Sequence, residues 1–96
     1  MRVHIPSALR KWSDGHDVVE LTAGGSMTAA DVIEALARNY PGLRDRVLNE
    51  QGELRRHVNI FIDGENARFL GGLAAAVATD SEVWIHPALS GGSPLS

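Results

Sequence analysis

Only one long stretch of the chain carries a helical repeat. Between Thr28 and Tyr40, Val32, Ile33, Leu36, Ala37 and Tyr40 recur at helical spacing. The other regular stretches are mostly strand-like, with side chains alternating at period two. A lone amphipathic helix has to lay its apolar stripe on something, and here that partner is a sheet. The result is an α+β chain, a mixed sheet of four or five strands with one main helix packed on one face.

Met1, Val3 and Ile5 alternate with Arg2 and His4, which predicts a first strand with one buried side. Pro6 and Ser7 end its regular part, and Ala8 to Trp12 reads as an irregular continuation. Ser13-Asp14-Gly15 turns the chain into a second strand, Asp17 to Leu21, that forms a hairpin with the first. Gly24-Gly25-Ser26 breaks the pattern and reads as a turn. A phosphate cradle before a helix would want a following lysine, and the only lysine is Lys11.

Thr28 is a good N-cap, and Asp31 stands where the reciprocal partner of a capping box belongs. The helix is expected to stop at Pro41-Gly42, with a short helical turn over Leu43 to Leu48. His57 to Ile62 predicts a third strand closed by Asp63-Gly64. Val58, Ile60 and Ile62 share one of its faces, Asn59 and Phe61 the other. Ala67 to Phe69 reads as a short edge strand, and the segment from Leu70 through the alanine run as irregular or briefly helical. Val83 to His86 is the last strand. A right-handed crossover through the helix sets the third or the last strand parallel to the first.

The 96-residue chain suits one small domain, and its 44% hydrophobic content is that of a globular one. Nine basic against twelve acidic residues leave a net charge of −3, which argues against nucleic acid as a partner. The longest apolar run, Leu73 to Ala78, is far too short to cross a membrane, and the N-terminus lacks a signal-peptide layout. With no cysteine, disulfide and thiolate chemistry are excluded. Cytoplasmic is the default location. His4, His16, His57 and His86 lack metal-ligand spacing, and no Ser/His/Asp grouping has the context of a catalytic triad, so neither a metal site nor a catalytic residue is expected.

The C-terminus is more telling. Pro87 is expected to halt the last strand, because it has no N–H for the ladder. Ala88 to Gly92 then form a short arm ending in two glycines, able to extend roughly 16 Å at about 3.3 Å per residue. Without Cβ atoms, Gly91 and Gly92 suit a slot too narrow for side chains. Residues 1–87 thus form the domain, 88–92 a short flexible tail and 93–96 an extension.

The element order is that of the β-grasp, or ubiquitin-like, fold. Together, Asn59-Ile60-Phe61-Ile62-Asp63-Gly64-Glu65, Asp80 to Ala88 and Ser90-Gly91-Gly92 resemble the MoaD/ThiS sulfur-carrier family. The ending Ile-His-Pro-Ala-Leu-Ser-Gly-Gly is most similar to the branch that includes the CysO carriers. The resemblance implies a chemistry. A partner like the ubiquitin-activating enzymes would use ATP to adenylate the Gly92 carboxylate. A sulfur donor would then displace AMP, leaving a thiocarboxylate to be spent by an acceptor synthase. Leu89, Ser90, Gly91 and Gly92 form the working tail. The carrier is not itself an enzyme, binds no cofactor, and is expected to be monomeric when free.

This chain departs from the family pattern by continuing through Ser93-Pro94-Leu95-Ser96. As written, Gly92 has no carboxylate to activate. The resemblance therefore implies cleavage between Gly92 and Ser93 by a JAMM-type zinc metalloprotease. It also implies that the activating enzyme docks on the sheet face not covered by the helix, where Phe61, Trp84 and His86 fall. Two other readings follow from the same resemblance: a modifier conjugated to lysines, and the small subunit of a molybdopterin-synthase-like complex.

Overall fold

The computed structural model describes residues 1–22 and 25–87. A five-stranded sheet has the order β2-β1-β7-β4-β5, where β1 is Arg2–His4, β2 Val18–Glu20, β4 Val58–Ile62, β5 Glu65–Asn66 and β7 Glu82–Pro87. A separate pair joins β3, Met27–Thr28, to β6, Ala76–Val77. β7 lies at the centre, parallel to β1 and antiparallel to β4. Of the two strands open to the crossover, it is therefore the last one that runs beside the first.

Period two does what the pattern demands. Val58, Ile60 and Ile62 of β4, Val83 and Ile85 of β7, and Val3 of β1 are buried on one sheet face. Across them lies α1, Ala29–Asn39, which buries Ala29, Val32, Ile33 and Leu36 in the same core. Its N-terminus is closed by a full capping box. The Asp31 amide donates to Thr28 Oγ1 at 3.2 Å, and the Thr28 amide donates to an Asp31 carboxylate oxygen at 2.9 Å. Aspartate, one methylene shorter than the usual glutamate, still closes the loop.

Four expectations need correction. Ser7 to Trp12 is a 3₁₀ helix, not an extension of the first strand. Leu9 and Trp12 are three residues apart, so a three-residue turn brings both onto the core side, where Leu9 is buried and Trp12 packs against it. Pro41-Gly42 does not simply end the helical region. Pro41 is the first residue of α2, Pro41–Val47, a place where its missing N–H costs nothing. Leu43 and Val47, four apart, bury its inner face.

The edge strand is Glu65–Asn66, reached through Asp63 and Gly64, both left-handed at φ 50° and 90°. Two successive positive φ values make the tight turn whose twist suits a hairpin. Ala67–Phe69 is instead a 3₁₀ turn, started by the Asn66 side chain accepting from the Arg68 amide. The fourth correction is an addition: the end of the alanine run is a strand, pairing Val77 with Met27 and Ala76 with Thr28. The Gly24 part of the glycine turn, and everything after Pro87, lie outside the described residues. Among the described residues no helix is long and apolar enough to cross a membrane.

Candidate functional site

With Val83 and Ile85 facing the core, Glu82, Trp84 and His86 are left on the open side of β7. Pairing in register brings their neighbours. Phe61 of β4 lies opposite Trp84, and His4 of β1 lies beside it. Trp84 stacks on His4, centroids 3.7 Å apart and rings within 3° of parallel. His86 sits 6.1 Å from Trp84, and Phe61 meets His86 edge-on at 5.4 Å. Four rings thus run across the middle of the sheet on the face that no helix covers. Trp84 remains 43% exposed at the centre of this row.

Charge borders one end of this row. His4 Nε2 lies 2.5 Å from Glu82 Oε1, and Arg2 approaches the other oxygen of that carboxylate at 3.6 Å. An ionised carboxylate only accepts, so the imidazole nitrogen is the donor. The bond from His4, with the Arg2 charge adding to it, holds the Glu82 carboxyl below its ordinary range.

Two depressions flank Trp84. One is a shallow groove of about 510 Å³ lined by Asn59, Phe61, Gly64, Trp84 and His86. The other is a cleft of about 300 Å³ at the end of the sheet where β1 turns away from β7. Phe61, Trp84 and His86, expected from alternation to share a face, do come together. The remaining expected site residues, Leu89, Ser90, Gly91, Gly92 and Ser93, lie outside the described residues. Alternation along β4 and β7 does not point to His4 of β1 as a member of this row. The signal for His4 was its place in the outward phase of the first strand, but putting it beside Trp84 required knowing which strand is central. Among the described residues there is no cluster of three metal-binding side chains.

The ThiS family model matches residues 3–92. The chain belongs to the ThiS family. The sulfur carrier protein CysO of Mycobacterium tuberculosis is 41% identical over 92 residues, covering 94% of this chain and 96% of that one. Small archaeal modifier protein 1 of Haloferax volcanii is 35% identical, covering 81% of this chain and 85% of the relative. Among solved structures, the BexX/CysO complex of Amycolatopsis orientalis matches with a TM-score of 0.83 at 32% identity, over 95% of this chain and 98% of that one. The ubiquitin-like β-grasp fold expected from the element order is therefore the observed one.

Proposed function

We propose that this ThiS-family chain is a sulfur carrier whose working group is the carboxylate of Gly92. The observation that carries the reading is the extent of the family match, which runs to the second glycine of the Gly91-Gly92 pair. The similarity to CysO carriers over nearly the whole length supports the same reading. Whatever follows Gly92 has to be removed first, by a JAMM-type protease cutting before Ser93. A partner adenylyltransferase then joins the Gly92 carboxylate to AMP, releasing pyrophosphate. This turns a poor acyl electrophile into one with a good leaving group. Attack by a sulfur donor expels AMP and leaves the thiocarboxylate, which an acceptor synthase consumes. The domain acts as the handle for this group, and the open face with Phe61, Trp84 and His86 is where the adenylyltransferase takes hold.

Intact-mass measurement tests the reading on the form ending at Gly92, incubated with the adenylyltransferase, ATP and a sulfur donor. The expected result is a gain of about 16 Da, sulfur for oxygen. An unchanged mass under conditions that load another carrier would refute it. The similarity to an archaeal modifier protein supports a second reading, attachment of Gly92 to lysines of other proteins. That reading predicts a Gly-Gly remnant on substrate lysines in place of the thiocarboxylate.

A further inference from the structure

The parallel pairing of β1 with β7 ends at His4 and Trp84, but β7 continues through Ile85 and His86 to Pro87. β1 meanwhile turns off at Pro6 into the 3₁₀ helix Ser7–Trp12. The sheet splits here, and the split is the cleft of about 300 Å³. Ile5, Pro6, Val18 and Ile85 give it an apolar lining beside His4, and Trp84 and His86 are shared with the groove on the open face. Arg10 also lines the cleft. Its Nε donates to the Ile5 carbonyl at 3.2 Å, which anchors the guanidinium beside the cleft. Among the described residues no carboxylate lies within ion-pair distance of Arg10, although three other ion pairs form elsewhere. Asp17, the one acidic residue in the lining, is exposed.

We propose that this cleft is a carboxylate pocket that receives a glutamate or aspartate side chain of the protein docking on the open face. The proposal rests on the docking role given to that face above. Charge complementarity chooses the occupant: an anchored guanidinium offers a fork of donors matched to a carboxylate. The apolar lining suits the methylenes leading to it. The volume lies at the small end for ligand sites and is ample for a carboxylate side chain. The pocket also shares Trp84 and His86 with the aromatic groove, so one partner can fill both. Arg10 becomes the residue that sets which partners fit, since a neutral or basic side chain at that point leaves the guanidinium desolvated and unpaired.

The test uses the full chain, labelled for NMR, with N-acetylglutamate amide as probe and N-acetylglutamine amide as its neutral counterpart. The glutamate probe should move the Arg10 Nε–H, Val18 and Ile85 signals saturably, and the glutamine probe should not. Arg10→Gln should weaken the response by about tenfold or more, as loss of a charge-assisted contact does. Asp17→Asn, which removes the competing negative charge, should strengthen it. Equal responses to both probes, no response, or a response unaltered in Arg10→Gln would overturn the pocket. The docking role of the open face is judged separately, by Phe61→Ala, at a residue that lines the groove and not the cleft, in the activation reaction with Arg10 intact.

Discussion

Trp12 lies against the one position of α2 that carries no side chain. A Cβ built on Gly42 would come within 2.4 Å of Trp12 Cδ1 and 3.2 Å of Cγ. These atoms are near the root of the ring, so the indole cannot swing its far end aside. The ring is also held by two cations, Lys11 Nζ at 4.5 Å and Arg46 Cζ at 4.1 Å from its centre. Gly42→Ala gains some helix propensity but forces the ring from its seat. Overpacking of this kind outweighs the gain, and a net loss of about 1–2 kcal/mol is expected in urea unfolding. The same change in a Trp12→Ala background should cost nothing. A Gly42→Ala chain as stable as the parent would show that the ring is free to move.

Glu82 gives the residue-scale prediction in pH. Its folded-state pKa lies below the ordinary glutamate range, chiefly because of the bond from His4. A depressed carboxylate stabilises the folded state above its unfolded pKa, and that contribution disappears as pH falls through the folded one. The stability difference between the parent and Glu82→Gln should therefore be level at neutral pH and shrink below about pH 4.5. A difference that grows on acidification would reverse the assignment.

Among the elements, legibility follows how local the determining contacts are. α1 was readable with its cap because Thr28 and Asp31 satisfy each other within one turn. Thr28→Ala should cost about 1 kcal/mol and speed amide exchange in the first turn of α1, while a pairing with Asp31→Ala should be less than additive. Additive losses would mean the two bonds do not form a unit. The long strands were readable because five or six residues are enough to show a period. β3 and β6 have two residues each, too few for any period, and they find each other across the chain. Pro41 misled because proline both ends helices and opens them; Leu43 and Val47, spaced for a buried helical face, were the deciding clue. Phe61, Trp84 and His86 could be grouped from alternation along two strands. The cleft beside Arg10 could not, because it exists only where one strand leaves its parallel neighbour.

On the scale of the whole molecule, β7 divides two jobs between its faces. One face, Val83 and Ile85, joins the core under the helices; the other carries Trp84 and His86 to the outside. The two tryptophans of the chain fall on different sides of this division. Trp12 packs with α2 and the core, whereas Trp84 touches His4 and the outer rings. Substituting each by alanine should therefore separate stability from recognition. Trp12→Ala should lower the unfolding free energy by about 2–4 kcal/mol, since it empties a half-buried packing site. It should leave adenylation of the trimmed chain nearly unchanged wherever the fold is intact. Trp84→Ala should cost about 1 kcal/mol of stability, from the stacking on His4. In ATP–pyrophosphate exchange with the adenylyltransferase, however, its loss should be about thirtyfold, as for an aromatic anchor at the centre of an interface. If both variants slow exchange only in proportion to the folded protein they lose, the open face has no part in docking.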